Sequence, residues 1–496
     1  MAVAGGVVWA LCFGIHSMVL APLVALVPLV FLLRTGRPFL VGLLYGITYW
    51  LVSIPWIVGT LETYGGMGRS LAIGSLVLLC AYLGLYYALF AAVGSYLWRR
   101  APKSLLWSLP ALWVSLEIVR GWLISGFPWN LAAYAWTDVP GALALSGWIG
   151  AYGISFLAVA TNVAVALLLS RRQSRRQVAG STVVLTVVVG LLALGFFSAP
   201  SALPDEKGGR VSIVQPNTPI LQVWDSELVE KGYRRLLALS AEACERDSLV
   251  IWPESAAWPF LLERDAHLRA DVERLNETGC WLVLNSIFRD DGKNFNSAFL
   301  LDPDANRERY DKTHLVPFGE YVPFGGVLPF VRRLARAAGD FSPGLERRQL
   351  SWKGEELGMA ICFEIVFPGE VAARVRDGAT VLVTITNDAW YGDTSAPWQH
   401  FRAARFRAAE NRRPLIRAAL TGVSAFISPR GEVVQILGVG EEGILQASVS
   451  GRRSLSLYSR FSWFVPLASW LLLAFAILRA AFGVGDGARG RAGDSQ

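Results

Sequence analysis

The sequence predicts two parts with opposite solvent preferences, a polytopic α-helical membrane bundle and a globular α/β domain held between its spans. Three observations carry this prediction. Of the 496 residues 53% are hydrophobic and only 17% charged, a balance too apolar for a soluble enzyme of this size. The apolar residues are unevenly spread, with long runs flanking a stretch of mixed charge and turn residues over 198–460. The basic residues gather in short clusters at the ends of those runs, so membrane topology accounts for the net charge of +7 and no nucleic-acid partner is implied.

The apolar runs cover residues 3–15, 19–33, 39–58, 71–98, 105–119, 143–170, 182–197 and 461–478. A span needs about 20 residues, so the first two are read as a tight helical hairpin in preference to a signal-peptide remnant. Eight spans with the amino terminus inside put Arg34 and Arg37, then Arg99, Arg100 and Lys103, then Arg171, Arg172, Arg175 and Arg176, then Arg479, Arg489 and Arg491, all in the cytoplasm. This satisfies the positive-inside rule and sends the large domain outside the cytoplasm, whereas seven spans break the agreement. The expected division is 1–197 for a seven-span bundle, 198–460 for the globular domain, and 461–496 for a last span and a tail. Glu117 and Arg120 form a candidate charged pair near the outer interface, just ahead of Gly126-Phe127-Pro128-Trp129.

Within the domain, strand-like runs at 211–214, 249–252, 281–288, 356–363, 381–386, 415–419 and 424–428, the last turning through Pro429-Arg430-Gly431 into 432–437, alternate with helical stretches at 227–244, 261–275 and 398–411. The five cysteines, Cys12, Cys80, Cys244, Cys280 and Cys362, show no CxxC pair and no ligand spacing with the four histidines. Neither a zinc site nor a disulfide framework is expected, and at least one thiol is free for chemistry.

Three polar islands interrupt the α/β pattern where such folds expose side chains. They are Trp252-Pro253-Glu254-Ser255, the stretch from Tyr310 to Glu320 that contains Lys312, and Ile361-Cys362-Phe363-Glu364. Singly, each has an ordinary explanation in a solvated Glu, a surface Lys or a packing Cys. Together they supply what cysteine chemistry requires, namely a thiolate, a base for its proton, and a fixed cation beside the developing oxyanion. His314 and His400 are read as structural hydrogen-bonding groups in preference to a cysteine-paired base, and His267 as part of a solvated helix face.

In this order the islands match the Glu-Lys-Cys pattern of the nitrilase (carbon-nitrogen hydrolase) superfamily. With the surrounding spans, YDKTHLVPFGEYVP at 310–323, TNDAWYGDTSAPWQHF at 386–401 and GFPW at 126–129, the chain resembles the apolipoprotein N-acyltransferase family over nearly its whole length. That resemblance implies an extracytoplasmic αββα sandwich on the bundle of a bacterial inner-membrane protein, facing the periplasm and the outer leaflet. It implies Cys362 as nucleophile, Glu254 as general base and Lys312 as the oxyanion-stabilising cation, with Glu320, Glu364, Phe363 and Trp224 supporting the site. The family commonly has Tyr where Phe363 stands, which removes a hydroxyl and keeps a ring.

The expected reaction is a ping-pong transfer. A glycerophospholipid, with phosphatidylethanolamine the favoured donor, leaves its acyl chain on Cys362, and the α-amine of a diacylglyceryl-apolipoprotein receives it. No metal or organic cofactor is required. Carrying the chain through water would expose roughly a dozen methylenes at about 0.8 kcal/mol each, so substrates should enter laterally from the membrane, past Trp129, Arg120, Glu117, Trp390 and Tyr391, with Trp398 also near the rim. The competing readings are a membrane-tethered amidase that passes the acyl group to water and a non-catalytic lipid-binding protein.

Overall fold

The computed structural model describes residues 1–16, 18–170, 174–198, 208–218, 226–304, 306–323 and 340–482. Trp224, Arg171, Arg172, Arg489 and Arg491 lie outside them. The bundle comprises α1 (Ala2–Leu11), α2 (Val27–Leu32), α3 (Pro38–Ser53), α4 (Trp56–Thr63), α5 (Arg69–Arg100), α6 (Leu105–Arg120), α7 (Ala142–Leu168) and α8 (Arg175–Ser198). Eight apolar runs do not become eight long helices. Four described helices are long and apolar enough to cross a membrane, α5, α7, α8 and the final Phe464–Phe482, and the pair α3 and α4, bent by 58°, makes a fifth if it counts as one span. The first two runs fold as helices of 10 and 6 residues, and α6 has 16.

Small residues set the close packing. A Cβ on Gly42 of α3 would stand 2.6 Å from both the Ala91 Cβ and the Tyr87 carbonyl of α5, so only glycine allows the two backbones to approach this far. In α7 the backbone breaks at Gly150, where φ is 67° and ψ 178°, a conformation that glycine adopts without steric cost.

The domain contains β1 (Gly209–Gln215), α9 (Ser226–Ala243), β2 (Leu249–Ile251), α10 (Ala266–Asn276), β3 (Trp281–Asp290), β4 (Lys293–Leu301), β5 (Arg307–Asp311), β6 (Leu350–Trp352), β7 (Glu355–Ile361), α11 (Pro368–Arg376), β8 (Val381–Thr386), α12 (Ala396–Asn411), β9 (Leu415–Ala419), β10 (Ser424–Ile427), β11 (Val433–Leu437) and β12 (Gly443–Val449). A short α13 (Leu457–Arg460) leads into α14 (Phe464–Phe482). Two six-stranded sheets form, in the orders β12-β1-β2-β3-β4-β5 and β11-β10-β9-β8-β7-β6. Ile213, Ile251 and Val283 of the first sheet bury against Met359, Ile361, Val383 and Ile385 of the second. The central strands β7, β8 and β9 run parallel and from Leu357 onward are largely apolar, as expected of strands covered on both faces.

Leu236 and Leu239 of α9, with Val272 and Leu275 of α10, cover the outer face of the first sheet. The outer face of the second sheet is covered by α11 and α12, and its apolar core runs without interruption into the core of the bundle. Helix α12 therefore belongs to both parts, with the Phe406 ring 5.2 Å from that of Tyr134. At the α7 break α12 presents Glu410, whose Oε1 accepts from the Ala151 N–H at 2.5 Å.

The expectation of no disulfide is corrected, because Cys244 and Cys280 are bonded, 36 residues apart. The bond ties the chain just beyond α9 to the residue before β3, a pairing made by the sheet and invisible to any test of local cysteine spacing. Cys12, Cys80 and Cys362 remain free thiols.

Candidate active site

Each of the three islands follows a strand. Glu254 lies just beyond β2, Lys312 directly follows β5, and Cys362 directly follows β7. Both charged side chains are buried, Glu254 being 6% and Lys312 1% exposed, so each needs a partner to stay charged. Lys312 Nζ sits 2.9 Å from Glu320 Oε1 and Oε2 and 3.7 Å from Glu254 Oε1. Asn296 of β4 bridges the two carboxylates, its Nδ2 donating to Glu254 Oε1 at 2.9 Å and to Glu320 Oε1 at 2.8 Å. The second Glu254 oxygen accepts from the Asn387 N–H at 3.0 Å, and the second of Glu320 from the Val316 N–H at 2.8 Å.

Burial pushes the Glu254 carboxyl above the usual carboxylate range, with Lys312 opposing and Glu320 adding to the rise. For Lys312, burial disfavours the cation, but Glu320 and Glu254 outweigh it and hold the amine protonated well above its ordinary range. Burial, with Glu254 assisting, raises the Cys362 thiol well above its ordinary value against the pull of Lys312. At rest the site thus holds a neutral thiol beside a lysine cation, and the thiol needs a base before it can attack.

Cys362 opens a short 3₁₀ turn, Cys362–Val366, in a left-handed conformation with φ 53°. Such a backbone is uncommon for a non-glycine residue and persists only where its surroundings hold it. Glu364 provides that hold. Fully buried, it accepts from the Ile361 N–H at 2.7 Å, the Thr313 N–H at 2.9 Å, the His314 N–H at 3.2 Å, the Tyr310 hydroxyl at 2.7 Å and Arg374 Nη2 at 2.9 Å. Glu364 therefore locks the turn bearing Cys362 to the loop bearing Lys312. Burial alone would raise its carboxyl, but Arg374 and these donors hold it below the usual range. The Phe363 ring packs edge-on against Phe367, centroids 5.1 Å apart, and near His314 at 5.9 Å, so the position works through its ring.

The proposed access residues divide. Glu117 and Arg120 are both buried and make no ion pair with each other among the described residues. Each instead holds the loop that follows α6. Arg120 Nη1 donates to the carbonyls of Phe127 and Trp129 at 3.0 and 2.6 Å, and Glu117 Oε1 accepts from the Ala132 N–H at 2.7 Å and the Trp113 indole at 2.9 Å. The loop delivers Trp129 to the domain, where its ring lies over His400 at 5.6 Å and near Tyr391 at 6.1 Å. Trp390 is exposed and is fastened to α4, its carbonyl accepting from the Thr60 hydroxyl at 2.8 Å and its ring packing 4.6 Å from Tyr64.

His314 and His400 make the structural hydrogen bonds expected of them. His314 bridges Glu370 at 2.7 Å and the Ser125 carbonyl at 3.0 Å, while His400 lies against Asp388 and the Cys362 carbonyl, each at 3.1 Å. His267 is exposed. Sequence reasoning missed Asn296, Arg374, Asp388, Gln399 and Arg417. A usable signal existed for Arg417 alone, a lone cation in the middle of the apolar strand Leu415–Ala419, which a core tolerates only when paired.

Residues 210–454 match the carbon-nitrogen hydrolase family model and residues 5–164 the model of the apolipoprotein N-acyltransferase N-terminal domain. The apolipoprotein N-acyltransferase of Geobacter metallireducens is 36% identical, with 97% of this chain and 94% of that protein covered. That of Bradyrhizobium diazoefficiens is 34% identical, with coverages of 81% and 77%. Among solved structures, a Nesterenkonia AN1 amidase from the nitrilase superfamily matches at 21% identity with a TM-score of 0.40, covering 54% of this chain and all of that one.

Proposed function

The chain belongs to the apolipoprotein N-acyltransferase family, and from that premise we propose that Cys362, Glu254 and Lys312 carry the acyl transfer. The observation that bears most weight is the convergence of a buried Glu254, a buried Lys312 and a free Cys362 thiol at the ends of three strands.

In the first half-reaction Glu254 takes the Sγ proton as the sulfur attacks an ester carbonyl carbon of a glycerophospholipid. The carbonyl oxygen becomes an oxyanion facing the Lys312 ammonium and the Phe363 N–H. Collapse breaks the ester C–O bond, Glu254 returns the proton to the departing lysophospholipid, and a thioester remains. In the second half-reaction the α-amine of the amino-terminal diacylglyceryl-cysteine attacks the thioester carbonyl and gives its proton to Glu254. The C–S bond breaks, Cys362 is reprotonated and the amide-linked third chain departs. Glu320 keeps Lys312 charged, and Glu364 and Phe363 shape the turn.

This is a membrane protein, which we assign to the bacterial inner membrane with residues 198–460 in the periplasm. The assigned topology has seven crossings before that domain and an eighth after it, the short amino-terminal helices pairing as a hairpin. The Cys244–Cys280 bond supports this placement, since disulfides persist in oxidising compartments. Phosphatidylethanolamine is the proposed donor.

The test is intact mass spectrometry of the purified protein after incubation with phosphatidylethanolamine, beside Cys362→Ala. A hydroxylamine-labile acyl adduct on wild type alone is expected, discharged by a diacylglyceryl peptide. A folded, lipid-supplied wild type that never acylates sinks the proposal, and discharge to water without the peptide favours the amidase reading.

A further inference from the structure

His400 is fully buried in the second turn of α12, facing the site from the side of the bundle. Its ring meets three polar groups. Nε2 lies 3.1 Å from the Cys362 carbonyl oxygen, and Nδ1 lies 3.1 Å from Asp388 Oδ1 and 3.2 Å from Arg417 Nη2. A carbonyl oxygen only accepts, so Nε2 carries a proton. Arg417 only donates, and its Nη2 is also 2.6 Å from Asp388 Oδ2, so this guanidinium can serve the carboxylate and the bare Nδ1 lone pair together. Burial first, and then the Arg417 cation, lower the imidazole below its usual value and outweigh Asp388 and the Cys362 carbonyl, which favour the charged ring.

The peptide that His400 grips is the one that matters to the chemistry. Cys362 O and the Phe363 N–H belong to one trans peptide plane and point in opposite directions. Fixing the oxygen on His400 therefore aims the N–H away from the histidine. Because Cys362 sits at φ 53°, a conformation that persists only where its surroundings hold it, this anchor on the carbonyl side adds to the hold that Glu364 provides.

We infer that His400 is a positioning residue that, as a neutral imidazole protonated on Nε2, holds the Cys362 carbonyl so that the Phe363 N–H faces the forming oxyanion. Trp129 of the bundle lies over the His400 ring and keeps it in place. The membrane part is thereby a component of the oxyanion site as well as an anchor. The inference rests on Cys362 being the nucleophile.

The test compares two reactions of the same thiol in the full-length, lipid-supplied protein. Acylation by phosphatidylethanolamine forms an oxyanion, whereas alkylation by iodoacetamide, mapped to Cys362, forms none. His400→Phe keeps a ring under Trp129 and removes the donor. It should acylate about 10²-fold more slowly, the scale of a misplaced reacting group, while alkylating within about threefold of wild type. His400→Gln, whose amide restores a donor near the Nε2 position, should recover most of the acylation.

Equal acylation by His400→Phe and wild type overturns the inference, as does a parallel loss of alkylation, which marks mere structural support. No acylation even by wild type condemns the nucleophile assignment instead. Independently of any variant, ¹⁵N-histidine NMR of the wild type should find His400 neutral with its proton on Nε2 at pH 7. A proton on Nδ1 alone, or a cationic ring, overturns the inference even if His400→Phe fails to accumulate.

Discussion

Gln399 Oε1 accepts the indole N–H of Trp129 at 2.7 Å, joining the first turn of a catalytic-domain helix to a loop of the membrane bundle. The same amide donates from Nε2 to the carbonyls of Ser53 at 2.9 Å and Phe13 at 3.3 Å. With the Trp56 indole of α4 also donating to Oε1 at 3.4 Å, one buried glutamine binds four elements of the bundle. Gln399→Glu keeps the acceptor for Trp129 and turns the donations to Ser53 and Phe13 into contacts between oxygens, whereas Gln399→Ala leaves the Trp129 indole and these carbonyls without it at about 1–3 kcal/mol each. Both variants should lose activity on heating faster than wild type, measured as the residual acylation after timed incubation. Wild-type heat resistance in Gln399→Ala would mean that the joint is held elsewhere.

The buried ion pair between Glu364 and Arg374, at 2.9 Å, should make stability depend on acid. Breaking such a pair from one side costs about 3–5 kcal/mol, so Arg374→Ala is expected to unfold at markedly lower temperature. Because the Glu364 carboxyl is held below its ordinary value, its contribution is complete above the unfolded value of about 4.3 and is lost as pH falls through the folded one. Melting followed by circular dichroism should show a shallower acid decline in Glu364→Gln than in wild type. Parallel declines would place the acid-sensitive group elsewhere.

Hydropathy and residue type made much of this molecule legible. The strands at 249–252, 281–288, 381–386 and 415–419 were readable because buried strands are largely apolar. Lys293–Leu301, Arg307–Asp311 and Gly443–Val449 were not, since these strands carry polar residues and owe their place to pairing with β3, β4 and β1. Glu254, Lys312 and Cys362 stood out as islands at strand ends. Asn296 and Asp388 did not, because what distinguishes them is the partner each meets across the fold, and the Glu117–Arg120 spacing suggested a mutual pair although each residue holds the following loop.

The Cys244–Cys280 bond gives the proposed orientation a direct check. Thiols blocked at the moment of lysis, then reduced and tagged with a large maleimide, should show those two cysteines protected in wild-type cells. They should become exposed in cells lacking periplasmic thiol oxidation. Removing the bond by Cys244→Ser should cost about 2–4 kcal/mol. Cysteines found reduced in otherwise normal cells would count against a periplasmic domain.

Glu320 offers a test of which group sets the pH dependence of acylation. Glu254 is raised by burial, and the Glu320 charge, bridged to it through Asn296, adds to the rise while Lys312 opposes it. Glu320→Gln removes one negative neighbour and frees the Lys312 ammonium to interact more fully with Glu254. Both changes stabilise the Glu254 carboxylate and lower its pKa. As the general base must be ionised to act, the acid limb of kcat/KM for acylation should move to lower pH. The plateau should fall at the same time, because a less basic carboxylate takes the thiol proton less readily. Rate profiles of wild type and Glu320→Gln with a fluorescent phospholipid donor would display both effects. A limb that stays in place would assign it to a group other than Glu254, and one that moves upward would mean that Glu320 holds the Lys312 cation in place more than it repels the base.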